Sequence, residues 1–252
     1  MKILHLDIET APAKVYAWGL FGQNIAINQI VEPGYTLCWA AKWDKEKNVM
    51  FNSIHKSSEK EMLEEIHSLL NEADVVTHWN GKKFDIPTLN KEFLLQSMDV
   101  PDPYHQVDLL HVARKQFRFQ SNKLDYVSQA LGVGSKIEHK GMSLWKDCMN
   151  SDQKAWKQME KYNKMDVVLL EKIYKRMLPW IKNHPNWALY LDEDRPVCTN
   201  CGSHEIIKKG TETTLTQMYD RYKCKKCGTS LRGRTTILDK TKRDNILTQS
   251  KI

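Results

Sequence analysis

Leu6-Asp7-Ile8-Glu9-Thr10 ends a short apolar run that begins just after the first residue, and its alternation decides how the chain is read. Leu4, Leu6 and Ile8 fall on one side of a strand and Ile3, His5, Asp7 and Glu9 on the other, because successive strand side chains point to opposite faces. Asp7 and Glu9 therefore leave the same face, about 7 Å apart. Two carboxylates this close do not both ionise cheaply unless a cation sits with them. The same pair could also close a strand end and face water, so the reading turns on what the rest of the chain supplies.

Ala11-Pro12 stops this strand, and Tyr16, Trp18 and Phe21 follow among small and polar residues. Their bulk places them in the core, with stacking on nucleic-acid bases as the other reading. Tyr35 to Trp43 and Val49 to Ile54 read as the next two strands around the polar turn Asp44 to Asn48, a three-strand meander. Ser58-Glu59-Lys60-Glu61 is a capping box, and Met62, Ile66, Leu69 and Leu70 follow at helical spacing. Asp74 to Trp79 is a further strand, and the helix before it predicts a parallel return to the sheet. Val107 to Leu110 reads as a strand running into a helix that reaches Phe117, and Leu124 to Gly132 as another helix, with Asp108 and Asp125 as helix-start acids. Gly132, Gly134 and Gly141 mark a flexible connection. The expected fold class is α/β, a mixed sheet flanked by helices.

Two more acids have suitable settings. Asp85 lies just past the carboxyl end of the Asp74 to Trp79 strand, in His78-Trp79-Asn80-Gly81-Lys82-Lys83-Phe84-Asp85-Ile86-Pro87. Open sheets place ligands at such ends, and Asp is equally at home there as a helix N-cap. Ser151 to Ile181 is the longest helical pattern, with Met159, Tyr162, Asp166, Leu170, Ile173 and Met177 on one face. A carboxylate inside that apolar stripe must be paired, protonated or bound to metal, since leaving it unpaired costs several kcal/mol. Tyr162 precedes Asp166 by one turn, so phenol and carboxyl emerge together.

Composition sets the class. The 252 residues are 41% hydrophobic and 27% charged, an ordinary globular balance with room for one large domain and a small appendage. No signal-peptide pattern or membrane-length apolar run appears, so a cytoplasmic protein is expected, from a bacterium or a phage-infected cell. The formal charge of +7 is uneven: from Arg195 onward there are 13 Lys and Arg against 5 Asp and Glu, which leaves −1 for the first 194 residues. Such a basic tail points to a polyanion, nucleic acid above all, or is simply a solvated charged end.

Asp7, Glu9, Asp85 and Asp166 form an all-oxygen set of the kind that selects Mg²⁺ or Mn²⁺. Two such ions about 4 Å apart suit in-line displacement at phosphorus. Neither a phosphate-cradling P-loop nor a Ser/His/Asp pattern is present, which leaves phosphodiester hydrolysis as the natural chemistry. From Asp7-Ile8-Glu9-Thr10 through Asn80-Gly81-Lys82-Lys83-Phe84-Asp85 to Tyr162-Asn163-Lys164-Met165-Asp166, the chain resembles the DEDD-class 3′–5′ exonucleases of the ribonuclease H-like superfamily. It is similar to the exonuclease domains of family B DNA polymerases and to their stand-alone phage and bacterial relatives. The resemblance implies that the four acids hold two metal ions, that Tyr162 positions the attacking water, which is the tyrosine subgroup, and that Thr10, Asn80 and Phe84 seat the substrate strand. It implies single-stranded or frayed DNA as substrate, with a separate polymerase or replisome protein as a possible partner. A ribonuclease and a non-catalytic nucleic-acid or replisome adaptor are the competing readings.

The tail carries its own signal. Cys198/Cys201 and Cys224/Cys227 are two CxxC pairs with 22 residues between them, the spacing of a zinc ribbon with four thiolates on one structural Zn²⁺. Cys38 and Cys148 are expected to be buried thiols. The expected organisation is a ribonuclease H-like exonuclease domain over 1–181, a linker over 182–196, the ribbon over 197–240 and a polar tail over 241–252. The ribbon could clamp substrate phosphates or dock a protein.

Overall fold

β1 (Ile3–Thr10) is the middle strand of a five-stranded mixed sheet. The computed structural model describes residues 1–250. A short ribbon of β2 (Lys14–Val15) and β3 (Ile30–Glu32) follows, then β4 (Thr36–Trp43) and β5 (Met50–Ser53), α1 (Glu59–Glu72), β6 (Val75–His78) and α2 (Asp85–Leu95). Next come β7 (His105–Asp108), α3 (Leu109–Gln116), α4 (Leu124–Ala130), α5 (Met142–Met149) and the long α6 (Gln153–Met177). A second, three-stranded sheet is built from β8 (Ile206–Thr213), β9 (Met218–Cys224) and β10 (Ser230–Thr236), and α7 (Lys240–Asp244) follows it. The chain divides into two compact units, Met1–Lys175 and Arg176–Ile252.

The main sheet runs β5-β4-β1-β6-β7. The expected meander is there, β1 and β4 and then β4 and β5 pairing antiparallel. The return after α1 is parallel, β6 lying alongside β1 and β7 alongside β6. Both faces of the sheet are covered. Leu4, Leu6 and Ile8 pack with Met62, Leu63, Ile66 and Leu70 of α1 and with Leu89 and Phe93 of α2. Each such fully buried side chain is worth about 1.5–3 kcal/mol. That outweighs the Ser58/Glu61 capping box, which is formed as expected and adds about 1 kcal/mol. On the other face Cys38 of β4, opposite Glu9, packs in a cluster with Leu144, Cys148, Trp156, Met159 and Tyr162.

One expectation is corrected. Tyr16, Trp18 and Phe21 are not core residues: Trp18 is 98% exposed and Phe21 90%, on the arm that joins β2 to β3. The arm is too short in paired backbone, two residues against three, to bring its own apolar side chains under cover. The glycine-marked connection after α4 carries no helix or strand, and it leads at Gly141 into α5, a helix the periodicity did not signal, whose Leu144 and Cys148 are buried.

The turn from β6 to α2 is tightly specified. Asn80 adopts φ +71°, and the Gly81 N–H donates to Nδ1 of the buried His78 at 3.0 Å. Asp108, at the end of β7, accepts the Asn80 N–H at 3.0 Å while capping α3 through the Leu110 N–H, also at 3.0 Å. It is thus a helix-start acid, and it also fixes the turn that delivers Asp85. Asp125, the other expected helix-start acid, stands in the first turn of α4.

In the small sheet's unit the two cysteine knuckles repeat one pattern. The Gly202 N–H donates to the Cys198 carbonyl and the Gly228 N–H to the Cys224 carbonyl, at 2.9 and 3.0 Å. Both glycines have positive φ, +70° and +83°, which Gly adopts without the strain a side chain would bring.

A Cβ placed on Gly81 would lie 2.3 Å from His78 Cγ. Gly81→Ala is therefore expected to lower unfolding stability by about 1–3 kcal/mol, as overpacking does. Urea unfolding of the variant against the parent checks this.

Candidate active site

The end of β1 becomes acidic where its neighbour stops. β6 pairs with β1 only from Ile3 to His5, so the Ile8 N–H needs another acceptor. Asp85 Oδ1 takes that N–H at 3.1 Å. Asp85 is the first residue of α2, whose N-cap position is Phe84 and has no side-chain cap bond. Its carboxyl thus faces β1 instead of capping the helix.

Asp7, Glu9 and Asp166 converge from β1 and α6, each with a carboxylate oxygen within 4.8 Å of the others. Asp85 stands outside that tight group but is near enough to raise the Asp7 carboxyl electrostatically. Asp85 and Asp166 are buried, whereas Asp7 and Glu9 keep part of their side chains in solvent. Burial first, then the charges of Asp166, Asp85 and Glu9, push the Asp7 carboxyl well above the usual range. Burial and Asp166 lift Glu9 to about 8, against the pull of Lys136. Asp85 is lifted to about 7 by burial, against the Ile8 N–H bond. Asp166 is also raised by burial, although Lys136 and Tyr162 favour its ionised form, and its Oδ1 is buried with no hydrogen-bond partner.

Three side chains that the sequence reading missed organise these acids. Lys136, from the connection after α4, donates to Asp166 Oδ2 at 2.5 Å and to the Tyr162 hydroxyl at 2.9 Å. Burial opposes its charge, but Asp166 and Tyr162 hold its pKa above the ordinary lysine value. Asn163 is fully buried, and its Nδ2 donates to Asp7 Oδ2 at 2.7 Å, fixing that carboxyl's rotamer. Trp145 of α5 stands beside Glu9, whose ionised form it favours, and meets the Tyr162 ring edge-on at 6.0 Å. Asn163 sits inside the quoted Tyr162 to Asp166 stretch, so its place beside the site was open to reading. Lys136 and Trp145 carry no local signal, since only the tertiary fold brings them here.

The Tyr162 ring is buried, and burial followed by Asp166 raises its pKa, so the phenol stays protonated at neutral pH. Thr10 ends β1 opposite Thr36 of β4. Asn80 lies in the turn before α2, and Phe84, at 44% exposure, presents its ring beside Asp85 in sequence. A second grouping, His5, Asp44 and Glu171, is already charge-balanced: Lys42 and Lys175 pair with Glu171 at 2.8 and 2.6 Å. Cys38 and Cys148 are buried thiols as expected, and Cys38 Sγ donates to Asn163 Oδ1 at 3.8 Å. The Sγ atoms of Cys198, Cys201, Cys224 and Cys227 also lie within 4.8 Å of one another. Among the described residues no helix is long and apolar enough to cross a membrane.

The fold is similar to that of the family B DNA polymerase from the archaeon Pyrobaculum calidifontis, with a TM-score of 0.55 at 15% identity, over 71% of this chain and 24% of the polymerase. An uncharacterized 48.3 kDa protein of insertion element ISM1 from Methanobrevibacter smithii is 40% identical over 75 residues, covering 23% of this chain and 19% of that protein. The chain thus spans about a quarter or less of the length of each. The family model for the RNase H superfamily matches residues 4–178, all of the main sheet but its first residue and all of α1 to α6. The chain belongs to the RNase H superfamily.

Proposed function

We propose that this protein is a metal-dependent 3′–5′ exonuclease that hydrolyses phosphodiester bonds of single-stranded or frayed DNA. The observation that carries the reading is the meeting of Asp7, Glu9 and Asp166 within 4.8 Å, with Asp85 held against the same strand. Membership of the RNase H superfamily supports a nuclease. The order of the three motifs supports the 3′–5′ direction, and their resemblance to polymerase exonuclease domains supports DNA.

The donor set fits divalent cations. Four carboxyls with raised proton affinity share one region with a single lysine, and a buried Asp166 oxygen lacks a partner. Asp7, Glu9, Asp85 and Asp166 would hold two Mg²⁺ or Mn²⁺ ions, which when bound supply the charge that activates water and stabilises the leaving oxygen. Asn163 keeps Asp7 oriented. The neutral Tyr162 hydroxyl, steadied by Lys136, positions the water at the scissile phosphate, and Lys136 adds positive charge where the phosphate oxygens arrive. Thr10 helps seat the terminal nucleotide, and Asn80 and Phe84 frame the strand. Cys198, Cys201, Cys224 and Cys227 hold a structural Zn²⁺. A separate polymerase or replisome protein is the proposed partner, and residues 1–181 form the exonuclease domain.

A 5′-labelled DNA oligonucleotide, incubated with Mg²⁺, is expected to give a ladder that shortens from the 3′ end. Asp166→Ala should abolish it, and Tyr162→Phe should slow it by about 10²–10³-fold, the range typical of losing one positioning group. A ladder on RNA alone would make the protein a ribonuclease, and binding without cleavage would make it an adaptor.

The raised carboxyls also set a pH dependence. Unfolded carboxyls titrate near about 4, so in the metal-free fold these groups stabilise fully below that value. The contribution is lost as pH rises through about 7 for Asp85 and about 8 for Glu9. The melting temperature of metal-free protein should fall between about pH 5 and pH 8, and Mg²⁺ should raise it more at the higher pH. A melting temperature indifferent to Mg²⁺ at both values would contradict this. Metal analysis should find about one Zn²⁺ per chain, lost in a Cys198→Ser/Cys224→Ser variant.

A further inference from the structure

Residues directly opposite one another on antiparallel strands share a face of the sheet. In the small sheet Arg232 lies opposite Arg221, and Ser230 and Ile207 both lie opposite Lys223. Arg221, Lys223 and Arg232 therefore share one face, and Tyr219, two residues before Arg221, shares it with them. Arg234 and Lys209 follow Arg232 and Ile207 two residues on, each where the pairing shifts register, and so lie beside this paired set. All five cations are exposed. The face carries one acid against them, Glu212, which lies opposite Tyr219 and 3.7 Å from Arg232.

The other face is neutral. Lys208, opposite Tyr222, pairs with Asp220 at 2.7 Å, and the Tyr222 hydroxyl donates to the same carboxylate at 3.5 Å. The pairing thus sets three cations against Glu212 on one side of the sheet, about +2 with Arg234 and Lys209 beside them, and leaves the other side about zero, an asymmetry that net charge alone does not create. Neighbouring cations stand about 5 Å apart across the strands and about 7 Å apart along them, a grid that can track successive phosphates. The Arg232 guanidinium lies over the Tyr219 ring at 4.3 Å. Stacking of this kind leaves the in-plane N–H donors of an arginine available to phosphate oxygens.

We propose that this face of the ribbon binds the sugar-phosphate backbone of single-stranded nucleic acid, independently of sequence. The aromatic ring set among the cations favours nucleic acid over an acidic protein, because bases stack on such rings beside a basic groove. The proposal does not depend on the chain being a nuclease, since it concerns a different surface.

The test uses the full-length chain with Asp166→Ala in every protein, so that cleavage does not interfere. Binding of a fluorescein-labelled oligothymidylate is followed by anisotropy over a series of salt concentrations. Lys223→Gln/Arg232→Gln/Arg234→Gln is expected to weaken binding at low salt by about tenfold or more. The slope of log affinity against log salt should fall by about 2, at about 0.7 for each lost phosphate contact. The charge-matched Lys208→Gln/Lys240→Gln/Lys242→Gln should retain most of the affinity and slope. Unchanged zinc content and melting temperature would show both variants folded. Equal losses in the two variants would overturn the proposal in favour of diffuse attraction, and no loss in the first would leave the face without this role. Labelled polyglutamate bound as tightly, with the same losses, would overturn it in favour of an acidic protein partner.

Discussion

Like charges crowded into a dry site repel, and that repulsion governs the design of the first unit. Asp7 and Glu9 leave one face of β1, Asp166 meets them from α6, and Asp85 closes in along the strand. At about 4 Å, two unit charges repel by about 4 kcal/mol even at the effective dielectric of a protein surface. Several such pairs would defeat the fold if all the acids ionised without a cation. The structure answers with protonation, one lysine and fixed donors: Glu9 is held protonated to about 8, Lys136 bridges Asp166 and Tyr162, and Asn163 and the Ile8 N–H each hold one carboxyl in place. A site arranged in this way would gain from binding cations.

That arrangement requires the sheet order. β1 is central, so its acidic end is reached from α2 on one side and α6 on the other. β6 stops short of Ile8, which leaves the strand an unpaired N–H, and the turn after β6 supplies Asp85 to fill it. Asp108 ties that turn to the next strand and helix. A change at Asp108 or Gly81 would therefore move Asp85 without touching any acid of the cluster. Positioning here is built from backbone donors and buried rings, which hold a carboxyl more firmly than another flexible side chain would.

Periodicity explains which parts were legible in the sequence. Leu4, Leu6 and Ile8 alternate with the polar face of β1, and Tyr162 and Asp166 sit at helical spacing within an apolar stripe, so both elements and their site-facing residues could be read directly. The knuckles were legible because CxxC followed by Gly is a local motif. Asp85 had two sequence roles, helix cap or ligand, and only the pairing of β1 with β6 decides that its carboxyl turns to Ile8. Lys136 lies in a stretch punctuated by glycines and Trp145 just after it, and no periodicity betrays a side chain whose partners at the site are 17 to 136 residues away. The exposed arm misled for a related reason: hydrophobicity signals a core only where an element exists to carry it there, and β2 and β3 are too short.

Anomalous scattering from crystals grown with Mn²⁺ tests the central claim most directly. The account predicts two anomalous peaks about 4 Å apart, one against Asp7, Glu9 and Asp166 and the other shared between Asp7 and Asp85, with both lost in Asp7→Asn. No Mn²⁺ at these carboxylates, with Lys136 still paired to Asp166, would contradict it and leave the acids as a structural cluster.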